Sequence, residues 1–263
     1  MLADRHYLQR QRQSVIWSVT TILVILNLCV FICQLVAERL GWDYLEFFAL
    51  RADLLVQGHL WQLLTFQFLH DPDNIVHILL NCAFLWFFGR QVESFLGRAS
   101  FLKLYLWSGV VGGMTQALVS WVFVGQDMPL MGVVGASAGV CGIIAAFAAI
   151  HWDQKLILWL FFCVPIPMRG KYVVLSLMVF CGLGWWLGSG NVAHAAHFGG
   201  IWMGLVYIRW IVQADRVLNA WEAVRSRIKS RPLIEPIEAS PAPLASVNPD
   251  PNVELRRIPA EHE

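Results

Sequence analysis

Charge is scarce in this chain: only 14% of its residues are Asp, Glu, Lys or Arg. A water-soluble domain carries about 25%, so the charged coat of a soluble globule is excluded. The six cysteines contain no CxxC pair of the metal-binding type, which argues against a zinc ribbon or a thioredoxin-like redox motif. They read instead as small buried hydrophobes. No A-x-A-like cleavage site follows the basic start (Arg5, Arg10, Arg12), so the first apolar run is expected to be a retained span and not a cleaved signal peptide. Solenoid-type repeats and nucleic-acid-binding motifs are lacking as well. The apolar segments between Ser137 and His197 hold no acidic residue, which removes the Ser–Asp–His order of a soluble α/β-hydrolase.

What the chain has is apolar surface. Hydrophobic residues make up 57% of it, with thirteen Trp and sixteen Phe, as suits a membrane protein with aromatic belts. Six apolar segments lie at roughly 14–36, 75–92, 100–124, 134–151, 172–188 and 192–213. Each approaches the ~20 residues that a helix needs to cross the hydrocarbon core, and in lipid a helix satisfies its own backbone. The expected fold is therefore all-α and polytopic, with six transmembrane helices in one domain, 14–213. It lies between a cytoplasmic N-terminus, 1–13, and a basic, then disordered Pro-rich cytoplasmic tail, 214–263.

The polar-aromatic stretch 37–74 is expected to form short interfacial helices. The stretch 156–168 is too short for a trusted span and ends in Pro165-Ile166-Pro167, so it reads as interfacial or re-entrant. Of the nineteen Lys and Arg, all but Arg39 and Arg51 fall on one side of a six-span topology. That places both termini in the cytoplasm, and with no transit peptide recognised the expected membrane is a plain cell (inner) membrane.

Ser137 lies in Gly135-Ala136-Ser137-Ala138-Gly139. Alone, this reads more readily as a helix-packing motif of small residues than as a GxSxG nucleophile. His197, in Ala196-His197-Phe198-Gly199-Gly200, shifts the balance, because an ionisable group at membrane depth is a functional-site hypothesis by default. Gly200 and Gly204 share a helix face with His197. Packing that face on the Gly135/Gly139 helix could bring imidazole and hydroxyl within general-base reach. His194 competes for the base role but is expected at the water-touching mouth of the span. His77 and Asn81, one helical turn apart, read either as an interhelical hydrogen-bond pair or as donors to one oxyanion.

Taken together, a Gly-x-Ser motif on the fourth span, AHxxGxxxG on the sixth and HxxxN on the second resemble the rhomboid intramembrane serine proteases. Gly89, Glu93 and Gly97 after the second span match as well. The resemblance covers about residues 14–213 and implies a six-helix bundle around a cavity open to the extracytoplasmic side. It implies Ser137 as nucleophile, His197 as general base, and His77, Asn81 and the Ser137 backbone N–H as the oxyanion hole. Two positions depart from the family. An acid-x-Trp-Arg element of the first loop reads His59-Leu60-Trp61-Gln62, so its ion pair is lost and packing by Trp61 must hold the loop. An aromatic that stacks on the histidine is replaced by Cys141, leaving Trp185 or Trp186 as candidates to supply a ring.

The implied function is hydrolysis of peptide bonds in or near transmembrane segments of membrane-protein substrates. The alternative is a catalytically inactive rhomboid-like protein that binds transmembrane clients. The expected partners are those proteins and the bilayer, with no nucleic acid. No metal or organic cofactor is expected, since His70, His77, His194 and His197 do not fall in a metal-ligand spacing.

Overall fold

The computed structural model describes residues 17–123, 132–160, 164–187, 193–211 and Trp221. The expected segment 1–13 lies outside the described residues, as does all of 214–263 except Trp221.

Helix α1 (Val19–Arg39) is built inside out relative to a water-soluble helix. Thr20, Asn27 and Gln34, spaced one heptad apart, are buried, while Ile22, Ile25, Ile32 and Val36 are exposed. In water this pattern would expose the apolar surface and hide the polar groups; in lipid it hides the polar groups from the solvent that cannot satisfy them. Ser18 caps the helix by accepting from the Thr21 N–H at 3.1 Å, one of the orphan donors of a helix start. Together with Ile75–Leu96, α1 is long and apolar enough to cross a membrane.

The connection to the next long helix forms the short helices expected of it: α2 (Leu45–Phe48), α3 (Ala52–Val56) and α4 (Gln62–Thr65), continued by a 3₁₀ turn at Phe66–Phe68. Helix α5 (Ile75–Leu96) starts at the Asn74 cap, whose side chain accepts from the His77 N–H. It ends at Gly97, where φ of +80° turns the chain into α6 (Arg98–Phe123). Glu93, buried near the end of α5, reaches back to the start of α1. It accepts from the Val19 N–H at 2.7 Å, the Thr20 N–H at 2.9 Å and the Thr20 hydroxyl at 2.7 Å.

Helices α7 (Ser137–Ile150), α8 (Gly170–Trp186) and α9 (His194–Val206, followed by a π-helical turn to Ile211) carry the candidate site residues. Small residues let α9 lie almost backbone to backbone on α7. A Cβ on Gly204 would strike the Gly142 carbonyl, and one on Gly200 would strike the Ala138 carbonyl. The two helices are the expected pair, and the structure defines the face of α7 that takes part. Gly139 is turned to Tyr105 of α6, and Gly135 lies before the helix beside His77, so α9 meets Ala138 and Gly142 instead.

The stretch expected to be interfacial or re-entrant is an antiparallel hairpin, β1 (Lys155–Leu160) with β2 (Val164–Arg169), in the register Lys155↔Arg169 and Ile157↔Pro167. It departs from the all-α expectation. Pro165 and Pro167 cannot continue a helix. Lying two residues apart, they can both take the strand positions whose N–H points away from the partner.

The cysteines also depart from expectation. Cys181 is buried, Cys82 and Cys141 are partly so, and Cys29 and Cys33 are exposed on α1. Cys163 lies outside the described residues.

Candidate active site

Ser137 is the first residue of α7, and His197 lies in the first turn of α9. The glycine-mediated approach of the two helices brings His197 Nε2 to 2.7 Å from Ser137 Oγ, within the reach required for proton transfer. The chain enters α7 as extended backbone that is satisfied by protein. Leu50 and Val133 exchange N–H···O bonds at 3.0 and 2.9 Å, and the Gly135 N–H donates to the Phe66 carbonyl at 2.9 Å. Such pairing is what allows irregular backbone at membrane depth.

Because Ser137 opens a helix, its N–H and those just after it have no intrahelical acceptor. They lie at the positive end of the helix dipole, a ready position for an anion.

His77 comes to this same point from α5. A Cβ placed on Gly135 would lie 3.0 Å from His77 Nε2 and 3.5 Å from Ser137 Oγ. The missing side chain thus leaves a gap bounded by the imidazole and the hydroxyl. Gly135 has φ of +138°, a conformation that side chains with a Cβ rarely adopt. Asn81 is buried one turn further along α5, and its amide donates to the His77 carbonyl at 2.9 Å. An amide nitrogen carries two hydrogens, so this bond commits only one of them.

The matching domain model is the Rhomboid domain, over residues 57–214, more than half of the chain. The chain belongs to the rhomboid family. A rhomboid domain is a helical, polytopic fold integral to the membrane, and the family acts on membrane-protein substrates within the bilayer. The rhomboid protease GlpG of Yersinia pestis is 28% identical over 217 residues, covering 78% of this chain and 66% of that protein. Presenilin-associated rhomboid-like protein A, mitochondrial, from Danio rerio is 29% identical over 164 residues, covering 60% of this chain and 41% of that protein. Rhomboid protease GluP of Bacillus subtilis is 29% identical over 148 residues, covering 56% of this chain and 25% of that protein. The chain spans less than half the length of the last two relatives.

Three surroundings of the site in this rhomboid were not read from its sequence. First, the loop, which carries His59 and Gln62 in place of the acid and Arg of the acid-x-Trp-Arg element, is tied by neutral groups as well as by Trp61. Gln62, fully buried, accepts from the Arg51 N–H at 3.1 Å and donates to the Glu46 carbonyl at 3.2 Å. Trp61 donates to the Phe47 carbonyl at 2.9 Å and stacks with Phe47 and with His59.

Second, His194 does not sit at a wet mouth. It is 6% exposed, and its ring stands edge-on to that of His197 at 6.2 Å. The ring found beside His197 is thus that of His194, standing edge-on, while Trp185 and Trp186 are exposed.

Third, His70 is fully buried beside His77, ring to ring at 5.2 Å. Its peptide is clasped by Gln34, which accepts from the His70 N–H and donates to the His70 carbonyl, both at 2.9 Å. Burial, and then the neighbouring His77, push the His70 imidazole down to about 4. A lone histidine in a loop gives no such signal in sequence, because the contact crosses from the loop to α5.

Proposed function

We propose that this chain is an intramembrane serine protease working through a Ser137–His197 dyad, on a rhomboid bundle of six spans with both termini cytoplasmic. The observation that carries this reading is the 2.7 Å contact between His197 Nε2 and Ser137 Oγ. On this reading the domain runs over 14–213, with cytoplasmic segments at 1–13 and 214–263. The surrounding membrane is the cell (inner) membrane, and the substrates are transmembrane proteins.

Ser137 Oγ attacks the scissile carbonyl carbon as His197 Nε2 takes its proton. The carbonyl oxygen, now an oxyanion, occupies the gap beside Gly135, held by His77, the Ser137 N–H and the second Asn81 N–H hydrogen. Collapse of the tetrahedral intermediate breaks the C–N bond, and the leaving amine takes the proton from His197. Water then repeats the sequence on the acyl-enzyme and frees Ser137.

Depth supports this chemistry. Fourteen residues of α7 extend about 21 Å against about 30 Å of hydrocarbon. With its His151 end at the cytoplasmic face, α7 begins roughly 10 Å below the opposite face.

The test is labelling of the detergent-purified protein with a fluorescent fluorophosphonate, alongside cleavage of a transmembrane substrate. Wild type is expected to label and cleave, and Ser137→Ala and His197→Ala to do neither. Absence of wild-type labelling in a folded, monodisperse preparation would reject the dyad in favour of client binding.

A further inference from the structure

One sulfur and two imidazole nitrogens, from Cys181, His194 and His197, lie within 4.8 Å of one another. Cys181 stands in the C-terminal half of α8, and both histidines are in the first turn of α9. The face of α8 is cut to receive them. Gly184, one turn on from Cys181, lies where a Cβ would land on the His194 ring, and Phe180 flanks that ring edge-on at 6.1 Å. Cys181 and His194 are 3% and 6% exposed, so this donor set is sheltered from bulk water.

We propose that Cys181, His194 and His197 form an inhibitory binding site for zinc or a similar borderline-soft divalent cation. One sulfur and two imidazoles suit zinc, with a fourth position left to water. They do not suit magnesium or calcium, which take oxygen ligands. Zinc held at about 2.0–2.1 Å from nitrogen and about 2.3 Å from sulfur sets the donors roughly 3.5 Å apart, so side-chain rotations on the order of 1 Å complete the site. On binding, the Cys181 thiol releases its proton to solvent, and each imidazole gives one nitrogen lone pair to the metal.

Inhibition follows whichever nitrogen of His197 binds, and this part of the inference rests on the dyad reading above. A neutral imidazole has one lone pair and one N–H. If the metal takes Nε2, the base is occupied. If it takes Nδ1, then Nε2 must carry the hydrogen, and it can no longer accept the proton of Ser137. The same ion would also pin α8 to α9.

The experiment uses the purified full-length protein stripped of metal by a chelator. Titration with Co²⁺ is expected to give a thiolate-to-cobalt charge-transfer absorption that saturates at a single ion per chain and is abolished by Zn²⁺. Cys181→Ala is expected to lose that band and to weaken zinc binding by more than about 100-fold, beyond the usual cost of an outer-shell partner. His194→Ala serves as a second variant, and circular dichroism verifies the fold of each. In parallel, Zn²⁺ is expected to slow fluorophosphonate labelling of wild type by about 100-fold, the scale of a lost general base. Chelator should restore it, and Cys181→Ala should be labelled with or without zinc.

A missing cobalt band, or a band that both variants keep, overturns the site whatever the serine does. Metal binding without slower labelling overturns the inhibition. Labelling absent before any metal is added rejects the dyad instead, and the cobalt spectrum then still decides the site.

Discussion

Glu93 holds Thr20 by two bonds at once: its Oε2 accepts from the Thr20 backbone N–H at 2.9 Å and from the Thr20 hydroxyl at 2.7 Å. A carboxylate at a helix start satisfies orphan N–H donors and meets the positive end of the dipole. Here it comes from a different helix, so the cap is also a tie between α1 and α5. Glu93→Gln replaces one acceptor oxygen with a donor facing other donors. It is expected to cost about 2–3 kcal/mol, read as a lower thermal midpoint in detergent. An unchanged midpoint would show that the tie carries no stability.

Gly135→Ala is predicted to keep the helix content and lose the chemistry. The added methyl lies 3.0 Å from His77 Nε2 and 3.5 Å from Ser137 Oγ, in the space assigned to the oxyanion. A fall in substrate cleavage on the order of 10²–10³-fold is expected, the cost of a lost oxyanion contact. Full turnover by a variant with normal circular dichroism would remove the oxyanion from that gap.

Gln62→Ala should loosen the first loop locally. It leaves the Arg51 N–H and the Glu46 carbonyl without the partners they have at 3.1 and 3.2 Å, a cost of about 0.5–1.5 kcal/mol for each part-buried bond. Hydrogen exchange at the Arg51 amide reads the effect directly and is expected to accelerate. Unaltered exchange there would mean that Trp61 packing alone holds the loop.

His70 gives the fold a pH dependence of known sign. Its folded-state pKa is depressed to about 4 by burial, then by His77, against about 6.5 in an unfolded chain. The folded form therefore favours the neutral ring. The associated stability is present above pH ~6.5 and is lost as the pH falls towards ~4, on the order of 3 kcal/mol in all. Thermal midpoints of wild type are expected to drop over that window more steeply than those of His70→Gln. Parallel curves would assign the acid sensitivity to other groups.

The long helices were legible in the sequence because lipid demands long apolar runs, and the observed starts at Val19, Ile75, Arg98 and Gly170 fall within a few residues of the predicted segments. The Ser137–His197 meeting was legible because glycines at 200 and 204 mark a face that can approach closely. The facing residues of that helix were not legible, since spacing alone does not tell Gly139, turned to Tyr105, from Gly142, which meets Gly204. The hairpin at 155–169 was missed because a short apolar run suits a strand and an interfacial segment equally; its prolines excluded a helix without naming the pairing. The surroundings of His70, His194 and Gln62 depend on contacts between separate elements, and no local pattern in the chain records those.

The fourteen-residue length of α7 acts as a ruler. On the topology and the dyad proposed above, with one end at the cytoplasmic face and Ser137 at the other, helix length would set the level in the bilayer at which a client is cut. Inserting one turn ahead of His151 would lift Ser137 by about 5.4 Å, and the scissile bond in an extended client would move by one or two residues. On that reading, cleavage position would be a property of helix arithmetic as much as of side-chain recognition.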